Sequence, residues 1–136
     1  MDFVKAMMVA ASGLRAQSGR MRVIAENIAN ADSTGTTPGA DPYRRKVVSF
    51  SNELDRELGV KKVQVERPKL DQSPFALKYM PGHPAANEEG YVKTPNVNGL
   101  VEAMDMREAQ RSYEANLNVI QATRRMVTST IDLLRR

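Results

Sequence analysis

Residues 21–45 read MRVIAENIANADSTGTTPGADPYRR, and at Asn30 the chain passes from a helical pattern into a run with no periodicity. Asn27 and Asn30 stand one turn apart and share a helix face, although asparagine is a mediocre helix former. Asn30 is explained in part by the stop itself, because an asparagine before a turn tolerates the left-handed conformation. Asn27 lies a turn inside, where capping fails, and its amide suits a polar contact reserved for another element or another chain. The stretch from Asp32 to Asp41 is rich in Ser, Thr, Gly and Pro and reads as an extended surface loop.

Upstream, Val4, Met7, Ala11, Leu14, Ser18, Met21, Ala25 and Ile28 alternate steps of three and four, a heptad seam that Ile24 widens near its end. A helix over residues 3–30 would be about 42 Å long. Alanine and serine fill several of its seam positions. Gly13 and Gly19 each cost about 1 kcal/mol relative to alanine, so this helix needs a closely approaching partner. At the other end Met106, Tyr113, Leu117, Ile120, Val127, Ile131 and Leu134 keep the same rhythm, with Gln110 and Arg124 as polar interruptions. That pattern predicts a second helix from about Asn98 to Arg135, roughly 50 Å or more.

Two such helices bury one stripe against each other and leave much of each exposed. Phe3, Met7, Met8, Met104 and Met126 fall off the seam or at its edge, which suits assembly better than solvation. Each seam is too lean to order its helix alone, so the isolated chain is expected to fray and to gain helicity on assembly.

All seven prolines lie between Pro38 and Pro95, and six of the eight glycines between Gly35 and Gly99, so the helix breakers define a middle third. Within it Lys61 to Arg67, Phe75 to Tyr79 and Gly90 to Lys93 are short runs bounded by turn formers, read as a small antiparallel β element. The expected divisions are residues 1–31 for the first helix, 32–59 for a loop and linker, 60–96 for the β element and 97–136 for the second helix.

The chain is nearly empty of chemistry. It has no cysteine, no phosphate-binding glycine loop, no paired histidines at zinc spacing and no nucleophile beside a base, so no catalytic residue, metal or cofactor is expected. Its one histidine, His83, sits in the turn sequence Pro81-Gly82-His83-Pro84 and reads as structural or exposed, and Glu88 and Glu89 read as solvated. The net charge of +4 is diluted along the chain: four basic against two acidic residues in 1–30, ten against nine in 31–99, and six against five in 100–136. A nucleic-acid footprint needs a clustered basic face; Arg44-Arg45-Lys46 and Lys61-Lys62 read as solvated surface instead, and no nucleic-acid partner is expected. The longest apolar run, Ala6 to Ala11, is too short to span a bilayer or to serve as a signal peptide, so neither membrane insertion nor an ordinary cleaved leader is expected.

Ser12-Gly13-Leu14 with Ala16-Gln17, followed by Val23 to Ala31, resembles the N-terminal signature shared by the axial proteins of the bacterial flagellum, the rod, hook and hook-associated proteins. Glu108 to Asn116, with Val119-Ile120-Gln121-Ala122, resembles the C-terminal signature of the same family. Pro81 to Pro84, then Gly90-Tyr91-Val92 and Pro95-Asn96-Val97-Asn98, is similar to its short proximal-rod type. The insert from Asp32 to Asp41 before Pro42-Tyr43-Arg44 departs from the commoner rod and hook pattern and fits that type too.

The resemblance implies a mainly α fold with a small β insert, its N- and C-terminal helices paired as a coiled coil that lines a tube. It implies a structural subunit of the flagellar basal body, a periplasmic rod component assembling with copies of itself and other rod proteins. Export by the flagellar type III apparatus without leader cleavage is implied as well. The expected assembly residues are Leu14, Met21, Ile24, Asn27, Ile28, Asn30, Gln110, Tyr113, Asn116, Leu117, Ile120, Val127, Ile131 and Leu134, with Asn27, Asn116 and Gln110 fixing register. One rival is a helical export chaperone or adaptor holding a partner helix, which leaves the β insert and the polar loop without a purpose. Another is an enzyme acting through His83 with Glu88 or Glu89, for which no spacing argument exists.

Overall fold

The structure is a computed structural model and describes residues 2–135. Its elements are α1 (Phe3–Ala29), β1 (Lys46–Val47), β2 (Phe50–Asp55), β3 (Val60–Val65), β4 (Lys69–Leu70), β5 (Ala76–Tyr79), β6 (Tyr91–Thr94) and α2 (Gly99–Leu134). Both helices match their expected spans to within a residue or two, because their ends carry local signals. Asp2 accepts the Lys5 N–H (3.2 Å) at the start of α1, and Asn98 accepts the Leu100 N–H (3.1 Å) at the start of α2. At the end of α1, Asn30 does not take the left-handed conformation expected of it, since no described residue other than glycine has a positive φ; its side chain instead donates through Nδ2 to the Glu26 carbonyl at 2.8 Å.

The middle differs from the single β element expected. It forms three separate two-stranded antiparallel sheets, β1 with β4, β2 with β3 and β5 with β6. Residues 50–55, read as linker, are strand β2 and pair along their whole length from Phe50↔Val65 to Asp55↔Val60. FSNELD has no clean alternation of its own, so the partner strand makes it a strand. The turn between them is fixed by Asp55, whose carboxylate accepts the Glu57 and Leu58 N–H groups and an ion pair from Lys62, while Gly59 takes φ +63°.

The chain divides into two compact units. The first comprises residues up to 21, 49–67 and from 107 onward. Here α1 and α2 run antiparallel, with Gly13 against Asn116 and Arg20 paired to Glu108 at 3.4 Å. A Cβ on Gly13 would lie 2.9 Å from Asn116 Nδ2, so any larger residue there has to displace the Asn116 side chain. The β2–β3 hairpin lies against a second side of α1: Ser12 Oγ accepts the Val63 N–H (3.2 Å), and Gly19 faces Val65. A Cβ on Gly19 would meet Val65 at 3.5 Å, an ordinary contact.

The two glycines therefore predict opposite outcomes. Gly19→Ala should stabilise by up to about 1 kcal/mol through helix propensity alone. Gly13→Ala should forfeit that gain by displacing Asn116, and should recover it when combined with Asn116→Ala. A double-mutant cycle in urea checks this, with a coupling of at least about 0.5 kcal/mol expected between positions 13 and 116.

The second unit comprises residues 22–48 and 68–106. Val23, Ile24, Ala85 and Val92 are its buried apolar residues, and β5–β6 contributes Val92 from one face while Leu77, Tyr79 and Tyr91 stay exposed on the other. Gly90, at φ +83°, closes this sheet where a Cβ would lie 2.9 Å from the Tyr79 ring.

The inner stripe of each helix sits beside the seam read from sequence. On α2 it runs Glu102, Met106, Ala109, Tyr113, Asn116, Ile120, Thr123 and Val127, all buried or half-buried. Gln110, Leu117 and Arg124 are exposed, so the two supposed polar interruptions are simply outside the stripe. On α1 the buried residues are Ala10, Ser12, Ala16, Val23, Ile24 and Asn27, while Val4, Ser18, Ala25 and Ile28 are exposed. Seam assignment by apolar size missed this because the helices approach through their small and polar residues.

Candidate functional site

Asn27 is 1% exposed, and all four hydrogen-bonding positions of its amide are filled. Nδ2 donates to the Lys46 carbonyl (2.8 Å) and to Glu102 Oε2 (3.2 Å). Oδ1 accepts the Lys46 N–H (3.0 Å) and the Tyr43 hydroxyl (2.8 Å). A side-chain amide thus pairs with both backbone groups of Lys46, as a neighbouring strand would, on the far side of β1 from β4. The chain leaving the loop is thereby fastened to the end of α1.

Glu102, in the first turns of α2, is fully buried. Besides Asn27 it accepts Nε of Arg45, whose guanidinium also reaches Asp71 (3.5 Å) and Asp105 (3.6 Å). The bond to Glu102 outweighs the effect of burial and holds the Arg45 guanidinium above its ordinary value, with Asp71 adding to it. Burial, reinforced by Glu26, pushes the Tyr43 phenol upward, and the hydrogen bond to Glu26 raises the Lys46 ammonium. Asn96 closes the network, accepting the Arg45 N–H at 2.8 Å and donating to the carbonyls of Asp71 and Ser73, both at 3.2 Å. Arg44 donates to the same two carbonyls and lies over the Phe75 ring, 4.2 Å from its centroid.

The arrangement is a structural lock with nothing reactive in it. A buried carboxylate is tolerated because Arg45 and Asn27 satisfy it, and each partner comes from a different part of the sequence. His83 has an equally structural place. Its Nδ1 accepts the Ala85 N–H (3.1 Å), leaving Nε2 to donate to Thr34 Oγ1 (3.1 Å), which ties the loop to the Pro81–Pro84 turn. Glu88 and Glu89 are exposed. Among the described residues no group of His, Asp and Glu is arranged to hold a metal ion, and no helix is long and apolar enough to cross a membrane.

The Asp71 carboxyl is held below its ordinary range, first by the Ser73 hydroxyl and N–H and then by Arg45. Its contribution to stability is complete above the unfolded value, about 3.9, and is lost as pH falls through the lower folded value. Asp71→Asn should therefore lower stability at neutral pH, and should show a smaller further loss than the parent chain between about pH 5 and pH 3. Urea midpoints across that range check the sign.

The expected assembly residues divide by burial. Ile24 and Asn27 are buried within the chain; Leu14, Met21, Asn30, Tyr113, Asn116, Ile120 and Val127 are half-buried; Ile28, Gln110, Leu117, Ile131 and Leu134 are exposed. Asn27 meets neither Gln110 nor Asn116, which lies against Gly13 and donates to the Ser112 carbonyl (3.0 Å). Sequence reading missed Tyr43, Arg45, Lys46, Asn96 and Glu102. Arg45 and Lys46 were expected on a solvated surface and are instead half-buried members of the lock. Asn27 was itself the available signal, since a mid-helix amide demands partners.

Residues 7–36 match a family model described as flagella basal body rod protein, and residues 88–133 match one described as flagellar basal body rod FlgEFG protein C-terminal. The chain is 59% identical over 127 residues to the flagellar basal-body rod protein FlgC of Agrobacterium fabrum, covering 93% of this chain and 91% of that one. It is 41% identical to the FlgC of Salmonella typhimurium over 92% of each chain. With the FlgC of Borreliella burgdorferi it shares 38% identity over 98% of this chain and 99% of the relative. Asn27 falls inside the first matched segment and Glu102 inside the second.

Proposed function

The chain belongs to the flagellar basal-body rod protein family and is a structural subunit of the bacterial basal body; we propose that it builds the proximal rod, polymerising with copies of itself and with other rod proteins around the export channel. The carrying observation is the near full-length identity to rod proteins named FlgC. In this reading α1 and α2 pair as a coiled coil in the assembled rod, and the subunit transmits torque without catalysing anything. The lock built on Asn27 supports a register role: it fixes how the start of α2 lies on the end of α1 inside each subunit, and so what surface a neighbour meets. Export by the flagellar type III apparatus without leader cleavage, and residence in the periplasmic part of the rod, complete the proposal.

The test is complementation of a strain lacking the gene. The chain should restore swimming and be recovered, uncleaved, in purified basal bodies at the membrane-proximal end of the rod. Recovery only in the cytoplasm, bound to another axial protein, would replace this reading with an export chaperone.

A further inference from the structure

Asn98 is the one asparagine of the chain that glycine follows, and the fold gives no reason for that glycine. Gly99 opens α2 without a positive φ, and a Cβ on it would meet nothing within 4 Å. Alanine would serve the helix better. Both residues are exposed. Asn98 Oδ1 accepts the N–H groups of Leu100 (3.1 Å) and Val101 (3.4 Å), so its side chain closes a ring that mimics a backbone turn. The Gly99 nitrogen and Asn98 Cγ are both members of that ring. As the first residue of the helix, Gly99 has no intrahelical acceptor for its N–H, and it finds none elsewhere among the described residues.

We propose that Asn98-Gly99 is a self-modifying site, at which the Asn98 side chain cyclises onto its own backbone and is deamidated. The Gly99 nitrogen attacks Asn98 Cγ and gives up its proton to solvent hydroxide; the Cγ–Nδ2 bond breaks, and that nitrogen leaves as ammonia with a proton taken from water. The succinimide that remains is opened by water at either carbonyl. Nothing is oxidised or reduced. Two features of the cap favour the step. The Leu100 and Val101 N–H groups polarise the amide carbonyl and lie where its oxygen becomes negative during attack, and Gly99 has no side chain to obstruct the approach of its nitrogen. The two products differ in consequence. Opening at the former side-chain carbonyl gives aspartate, which keeps the cap and adds a charge that suits a helix N-terminus. Opening at the backbone carbonyl gives isoaspartate, whose main chain runs through Cβ and Cγ. The carbonyl that accepts the Glu102 N–H (3.0 Å) then becomes a free carboxylate, and the backbone leading into α2 is longer by one methylene. Glu102 is the buried carboxylate of the lock, so isoaspartate at position 98 loosens it.

Asn87 is the control that the fold supplies. It is exposed, and its Oδ1 accepts the Glu89 N–H (3.0 Å) in the same kind of turn, but Glu88 follows it. The folded chain, kept at mildly alkaline pH and sampled over days, should lose one ammonia and gain one negative charge. Peptide mass spectrometry should place the change at Asn98, in both aspartate and isoaspartate form, with Asn87 intact. Gly99→Ala should leave Asn98 as long-lived as Asn87, with helix content unchanged. Amide exchange at Arg45 and Lys46 should be faster in the isoaspartate fraction than in Asn98→Asp. An Asn98 that persists in the folded chain while it reacts in urea would overturn the proposal, as would an equal rate in Gly99→Ala or aspartate as the sole product. Unchanged exchange in the isoaspartate fraction would overturn the link to the lock.

Discussion

Arg45→Met should destabilise the second unit by about 3–5 kcal/mol, the usual consequence of stripping one partner from a buried ion pair. The size of the effect comes from what is left behind. Glu102 is fully buried, and without Arg45 its carboxylate keeps only the Asn27 amide. Neutralising the orphaned charge should undo much of the damage, so Arg45→Met with Glu102→Gln should recover at least half of the loss. The exposed pair Lys93–Asp41, at 3.1 Å, provides the contrast: Lys93→Ala should cost no more than about 1 kcal/mol. Denaturant unfolding, with amide exchange reporting on Arg45 and Lys46, measures all three. Equal losses from Arg45→Met and Lys93→Ala would mean that Glu102 is not held as described.

Asn27→Leu should be nearly as damaging, although propensity and apolar area both favour leucine in a helix. Propensity offers about 0.5 kcal/mol, and burying the leucine side chain roughly 1.5–3 kcal/mol. Against this, the Tyr43 hydroxyl, both backbone groups of Lys46 and one oxygen of Glu102 lose their partner together. Each unsatisfied buried group costs about 1–3 kcal/mol, more where charged, so the net loss should exceed about 2 kcal/mol. Circular dichroism should show the α1 signal little changed, while amide exchange at Lys46 accelerates. In cells the variant should be secreted but recovered poorly in basal bodies. Normal incorporation with unchanged exchange at Lys46 would reduce Asn27 to a tolerated helix residue.

The two helices were legible because their boundaries are written locally. Breakers and caps flank each one, and heptad spacing runs through both. The stripe that faces inward was legible only to within one residue, since apolar size was the guide and the helices meet through Gly13, Asn116, Asn27 and Glu102. The sheets were less readable. Strands of two residues such as Lys46–Val47 exist by virtue of Lys69–Leu70, more than twenty positions later, and no local composition announces such a pairing. Glu102 was hidden for a different reason: an acid in the first turn of a helix ordinarily faces water, where the helix dipole alone accounts for it.

The lean interior has a thermodynamic consequence. Seven hydrophobic residues are buried among those described, and four of them, Ala10, Ala16, Ala85 and Ala109, are alanine. The heat capacity gained on unfolding scales with the apolar surface newly exposed to water, as does the denaturant slope with total surface. A free subunit of this kind should therefore have a flat stability curve and a broad melting transition, because little apolar surface changes its contact with water when it unfolds.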